Sequence, residues 1–247
     1  KADLFSTPND PFFSKQFYLK NTGQVINDGH SGTAGIDINV SNAWDVTKGT
    51  SGITIAVIDE GVSSNHPDLP NSRQVRLNGS DFSTSTPGND PSPSGTLNHG
   101  NACSGIIAAS QDNNEGISGI APLCKIMPVK MNFGVSTSSQ FADAINFAVA
   151  NGAKIISNSW GYSTSDPNFV PAIVTAINNA ISNNCIVVFA AGNTANLSSN
   201  NTGFVSFPAS CNVSGLMVAG ACDRNGSQAN YSPSSSIIDF VAPSHKA

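Results

Sequence analysis

Three short segments carry the side chains from which acid–base chemistry could be built. Asp59-Glu60-Gly61 follows an almost wholly apolar run, Ile53 to Ile58. His99-Gly100 precedes a stretch of small and apolar residues, Ala102 to Ala109. Ala190-Ala191-Gly192-Asn193 closes a second apolar run that begins at Cys185. A carboxylate that holds one imidazole nitrogen orients the ring and stabilises its charged form, which leaves the other nitrogen as a general base. An amide donor such as Asn193 suits a developing oxyanion. The plainer reading of Asp59 is a cap on the turn that follows a strand. The rest of the chain decides between the two.

These residues need elements to hold them. A short apolar run bounded by turn residues predicts a strand buried on both faces, as in a parallel sheet. Seven such strands are predicted: 53–58, 75–77, 126–129, 153–157, 185–190, 216–219 and 237–241. Helices are predicted at 41–47, with Ser41 as N-cap and Ala43, Trp44 and Val46 facing inward, and at 102–109. Two more carry helically spaced apolar residues: Phe141, Ala144, Ile145, Ala148 and Val149, then Val170, Ile173, Val174, Ile177 and Ile181. Strands alternating with helices predict an α/β fold, a doubly wound, mostly parallel seven-stranded sheet with helices on both faces. Asp59 then lies at the carboxyl end of a strand, where ligands gather in such sheets. Residues 1–36 read as an arm with aromatic anchors, and 70–97 as a surface excursion.

Composition narrows the partners. Of 247 residues, 39% are hydrophobic and only 11% charged, so Ser, Asn, Thr and Gly must cover the surface. That style suits an extracellular protein. A net charge of −5 argues against nucleic acid or an anionic membrane as partner. No apolar run approaches the roughly 18 residues of a membrane span. Five cysteines without a CxxC pair make structural zinc improbable and allow at most two disulfides, with Cys103 and Cys124 as buried thiols. Asn196-Leu197-Ser198 and Asn230-Tyr231-Ser232 fit the glycosylation pattern of a eukaryotic secretory route.

The chain resembles the subtilisin-like serine proteases. The matching segments are AVIDEGVSSNHPDL (56–69), HGNACSGIIAA (99–109), GISGIAP (116–122), SNSWG (157–161), VVFAAGN (187–193), FPAS (207–210) and DFVAP (239–243). The arm, NDPFFSKQFYLKNTGQ (9–24), resembles the convertase branch. The resemblance implies one peptidase domain over residues 1–247, and a secreted enzyme made with a propeptide and acting on peptide or protein substrates. It makes Asp59 and His99 two members of an Asp-His-Ser triad and Asn193 the oxyanion donor. Ser159, Trp160 and Gly161 become the edge that pairs with substrate backbone. Ala190, Ala191 and Gly192 become one wall of the primary specificity pocket. Glu60 becomes an acid that favours a basic residue beside the scissile one, although only Asp166 follows where convertases carry an acidic cluster. A structural calcium site is implied at Asp10, Asp68, the Asn113 side chain, and carbonyls near Gln111, Glu115 and Ile117, whose hard oxygens suit that ion.

Two departures stand out. Asn101 follows His99-Gly100 where the family has threonine. The family nucleophile lies in a Gly-Thr-Ser turn tens of residues after the strand matched by 239–243, and no such turn follows before Ala247. Gly49-Thr50-Ser51 and Ser244 are misplaced for the role. The domain is thus expected to be incomplete at its C-terminal end, with the serine on a missing or separate C-terminal fragment. The alternatives are a subtilase-fold peptide ligase or macrocyclase, and a catalytically inactive peptide-binding relative. Of the other histidines, His66 is expected in a structural hydrogen bond and His30 and His245 in solvent.

Overall fold

The computed structural model describes residues 7–244, so the expectation for His245 lies outside the described residues. In chain order, α1 (Val40–Val46) precedes β1 (Thr54–Asp59). A two-stranded ribbon follows, β2 (Asn65–His66) and β3 (Leu69–Pro70), and then α2 (His99–Ala108). Next come β4 (Lys125–Lys130), α3 (Ser138–Ala150), β5 (Ile155–Asn158), α4 (Pro171–Ser182) and β6 (Ile186–Ala190). The last strands are β7 (Leu216–Cys222) and β8 (Phe240–Pro243).

Every residue of β1 from Ile55 to Asp59 is buried, which is why the run is apolar throughout rather than alternating. Ile55 and Val57 join Leu69 and Ala108 of α2 on one face. Ala56 and Ile58 join Phe141, Ile145 and Ala148 of α3 and Ile173 and Ile177 of α4 on the other. Ile145 and Ile177 are fully buried, and each contributes about 1.5–3 kcal/mol over an exposed position. Thr137 and Gln140 close a capping box at the start of α3. Pro171 opens α4 where no N–H is needed, and Asn184, at φ 60°, follows its end.

The main sheet has six strands in the order β4-β1-β5-β6-β7-β8, all parallel. The expected seventh strand, at 75–77, is not formed. Gln74 and Asp81 each make a single parallel bridge to β4, at Ile126 and Lys130. Pro128 explains the break. It lies on the outer-edge register between those two residues and has no N–H to donate to a further strand. Because β4 and β5 flank β1 on opposite sides, the chain reverses direction at β1. The crevice of such a reversal opens beyond the carboxyl ends of the strands, at Asp59 and Asn158.

Two local expectations are corrected. Ser41 lies inside α1, whose cap position is Asn39 in the left-handed region. Val40 and Trp44 turn inward onto Phe13 and Leu19 of the arm, while Ala43 and Val46 are exposed. The helix thus presents an i,i+4 pair rather than the wider stripe expected. All five cysteines are free thiols, and Cys103 is only partly buried. Among the described residues no helix is long and apolar enough to cross a membrane.

Candidate active site

Asp59 ends β1 and His99 begins α2, and the fold brings the two side chains together. His99 Nδ1 lies 2.9 Å from Asp59 Oδ1 and 3.0 Å from Oδ2. The ionised carboxylate only accepts, so Nδ1 carries the proton and Nε2 is left as the basic nitrogen. Asp59 is fully buried, and its Oδ1 also accepts the Glu60 N–H at 2.7 Å. The imidazole is half exposed. Its pKa is raised well above the ordinary value, chiefly by the hydrogen bond to Asp59 and then by Cys103, while burial works in the opposite direction. Cys103, one helical turn on, places Sγ 3.8 Å from Nδ1.

Backbone packing sets this apposition. A Cβ on Gly100 would stand 2.2 Å from the Gly61 carbonyl oxygen, and one on Gly61 would stand 2.5 Å from that of Pro91. Gly61 also has φ +102°, a conformation open to glycine. Glu60 turns toward the start of α2, where Oε2 accepts the His99 backbone N–H at 3.3 Å.

Asn193 follows β6 and is exposed, and its side-chain amide makes no hydrogen bond to the described residues. β5 separates β6 from β1, so Ala190, level with Asp59 in register, lies about 10 Å across the sheet from it, and Asn193 follows three residues beyond that end. The N–H groups of Ser159, Trp160 and Gly161 donate no hydrogen bond to the described residues, which leaves this edge open to an added strand. The Trp160 side chain itself is buried against Phe141 and Phe189. Ala191 is also buried, so the wall formed by Ala190 and Gly192 is largely backbone.

Neither misplaced serine reaches His99. Gly49-Thr50-Ser51 lies before the amino end of β1, at least about 16 Å from Asp59 at ~3.3 Å per strand residue. The Ser244 hydroxyl is bonded to the Tyr231 hydroxyl at 2.6 Å. Among the described residues no hydroxyl bonds to His99. His66 takes its structural role, its Nδ1 accepting the Asp68 N–H at 3.2 Å. His30 is exposed, its ring against the Asp28 carbonyl.

The residues proposed to hold a cation are also brought together. Asp10 and Asp68 are both buried, and the loop after α2 wraps around them. Asp68 accepts the Ile117 N–H at 2.9 Å and the Asn113 amide at 3.0 Å; Asp10 accepts the N–H groups of Asp112 and Asn113 at 3.2 Å. A Cβ on Gly116 would stand 2.4 Å from Asp68 Oδ2, so the loop lies hard against the carboxylate. Burial raises the Asp68 pKa, and the charge of Asp10 raises it further. The carbonyls of Gln111, Glu115 and Ile117 accept no hydrogen bond from the described residues. Two buried carboxylates with free carbonyls nearby in the chain fit a hard divalent cation.

Comparison with known proteins places the chain in a family. The profile of the Subtilase family matches residues 50–246. The chain belongs to the subtilase family. This subtilase is 34% identical to thermitase of Thermoactinomyces vulgaris over 239 residues, 96% of this chain and 73% of thermitase. It is 32% identical to the calcium-dependent protease of Trichormus variabilis over 94% of this chain and 35% of that protein. Among solved structures, that of proteases from Pseudoalteromonas arctica PAMC 21717 matches with a TM-score of 0.75 at 28% identity. It covers 96% of this chain and 72% of that one.

Sequence reasoning missed two residues beside the predicted ones. Ser206 packs against both Gly192 and Gly161, since a Cβ on Gly192 would meet its Oγ at 2.4 Å and one on Gly161 its Cβ at 3.3 Å. Its N–H donates to the Ala191 carbonyl at 2.9 Å. The FPAS motif, one residue on, marked the segment but not this contact. The second residue, Ser63, is hydrogen-bonded to the Asn101 side chain.

Proposed function

We propose that this subtilase is a secreted serine endopeptidase in which Asp59 orients His99 and His99 activates a serine supplied by polypeptide beyond this sequence. The observation that carries the reading is the 2.9 Å contact between Asp59 and His99 at the point where the sheet order reverses. In the acylation step, Nε2 takes the proton of the serine hydroxyl as the oxygen attacks the substrate carbonyl, then returns it to the leaving amine. Asp59 stays ionised throughout and stabilises the imidazolium. Asn193 donates to the oxyanion, beside the serine's own N–H. The free backbone of Ser159–Gly161 takes the substrate as an extra strand.

The seat for the missing segment is a bare face of the sheet. Ile55 and Val57 mark the side that α2 covers, and by register Ile155, Ile186, Val188 and Met217 share it. There Ile186 is 48% exposed and Met217 37%. An apolar helix laid on this face would cover them.

Specificity follows from the pocket walls. Gly161, Ala190, Gly192 and Ser206 offer no carboxylate, and Glu60 is engaged by the His99 N–H. This supports a small or apolar residue before the scissile bond rather than strict dibasic cleavage. Asp10, Asp68, Asn113 and the carbonyls of Gln111, Glu115 and Ile117 would hold calcium. The ion would neutralise the two buried carboxylates and tie the arm to the loop behind α2.

The test is peptide turnover by the complete protein and its His99→Ala variant. The expectation is that the variant loses activity by at least about 10³-fold. Undiminished turnover would remove the assignment, and absence of turnover in both would favour the non-catalytic peptide binder. Ligated or cyclic products from an active protein would favour the ligase reading.

A further inference from the structure

The replacement of threonine by Asn101 finds a physical account in the contacts of this side chain. Asn101 lies in the first turn of α2, two residues beyond His99. Its Oδ1 accepts the Ser63 N–H at 2.8 Å, and its Nδ2 donates to Ser63 Oγ at 3.1 Å. Ser63 stands four residues beyond Asp59. One amide therefore ties the element that carries the histidine to the segment that leaves the aspartate.

The other forces at this junction are weaker or of the wrong kind. The close approach of Gly100 to Gly61 limits how near the two backbones come but does not draw them together. The cap position before α2, Asn98, makes no side-chain hydrogen bond. The contact from Glu60 to the His99 N–H, at 3.3 Å, is long for a charged acceptor. The half-exposed imidazole is gripped mainly through Nδ1, with only the long contacts of Cys103 Sγ to the ring at 3.8 and 4.0 Å besides, so where α2 starts decides how that nitrogen meets the carboxylate. Ser63 is itself anchored. Its carbonyl accepts from Gln74 Nε2 at 2.9 Å, and the same nitrogen donates to the Leu69 carbonyl at 2.6 Å. The clamp thus runs from α2 through Ser63 to a buried glutamine beneath the ribbon.

We propose that Asn101 is a positioning residue which, through its paired hydrogen bonds to Ser63, holds the first turn of α2 so that the His99 imidazole stays seated on Asp59. A threonine at this position would have to make both bonds through one oxygen on a shorter side chain, whereas the amide divides them between Oδ1 and Nδ2. The kinetic consequence rests on the peptidase reading; the geometric claim does not.

The experiment is NMR of His99 in the complete protein, following its Nδ1–H resonance and its titration. Asn101→Ala is expected to lower the His99 pKa by about one unit and to broaden or abolish the low-field proton. Asn101→Asp keeps two acceptors for the Ser63 N–H and hydroxyl, and is expected to restore the resonance. Ser63→Ala removes one of the two bonds. It is expected to shift the titration less, and to add nothing in the Asn101→Ala background. It also serves as the readout should Asn101→Ala not fold.

In turnover by the complete protein, Asn101→Ala is expected to lower kcat about tenfold with KM nearly unchanged. A variant that melts earlier but keeps the wild-type His99 titration and resonance would overturn the proposal and leave Asn101 a structural residue. Lack of turnover in every form, with the NMR effects present, would overturn the peptidase reading and not the clamp.

Discussion

Asp59 and His99 divide their work by environment. The aspartate is fully buried and accepts from the Glu60 N–H and from the imidazole; the histidine shows half its surface to solvent. The hydrogen bond to Asp59 raises the His99 pKa, and proton abstraction needs the neutral ring. Activity of the complete enzyme should therefore rise with pH along a limb that lies above the ordinary histidine value of about 6.5. Asp59→Asn should move that limb down and cut kcat by about 10³–10⁴-fold, measured as kcat/KM against pH. An unmoved limb would show that Asp59 does not set the titration. The same raised pKa stabilises the fold below pH ~6.5, and that contribution is lost as pH rises through the higher folded value. Solvent screening keeps it small. Asp59 and His99 were legible in the sequence because each sits within a few residues of a strand end or a helix start. The Ser206 contacts were not, because they depend on how segments 14 or more residues apart pack against one another, which no local pattern encodes.

Elements were legible where one period dominated the sequence. β1 and β4 read as continuous apolar runs because both faces are covered, β6 reads the same way although one of its faces is partly exposed, and α3 and α4 read from helical spacing. The seventh strand failed for a reason visible only once β4 was in place. Pro128 looks like an ordinary member of an apolar run, and its missing N–H matters only because that position faces outward. Val46 misled in the same way, since the arm covers only the Val40–Trp44 side of α1. At this scale the loop around Asp10 and Asp68, proposed to hold calcium, leads to a prediction. The raised pKa of Asp68 means that, without a cation, stability falls as pH rises through the carboxylate range, because folding disfavours the charged form. Calcium at about 100 times its dissociation constant should add about 2.7 kcal/mol, roughly 5–10 °C in Tm for a chain of this size. Asp68→Asn should lose that response in a thermal melt with and without chelator. An equal melting temperature in both conditions for the parent chain would remove calcium from this loop.

The molecule as a whole is lopsided. Two helices cover one face of the sheet; on the other, α2 lies over β1 and β4, while among the described residues Ile186 of β6 and Met217 of β7 are left partly exposed. Asp59 and His99 are paired, with no hydroxyl bonded to His99 among the described residues, and the partly exposed Ile186 and Met217 lie on the α2 side of the same sheet. The central claim is that His99 serves a serine outside these 247 residues. The most direct measurement is covalent labelling of the protein from its natural source with a fluorophosphonate, followed by peptide mapping, in parallel with the His99→Ala variant. The account predicts one labelled serine, in polypeptide that is not part of this sequence, and no label in the variant. A label on a serine within residues 1–247, a label that survives His99→Ala, or no label on either protein would contradict it.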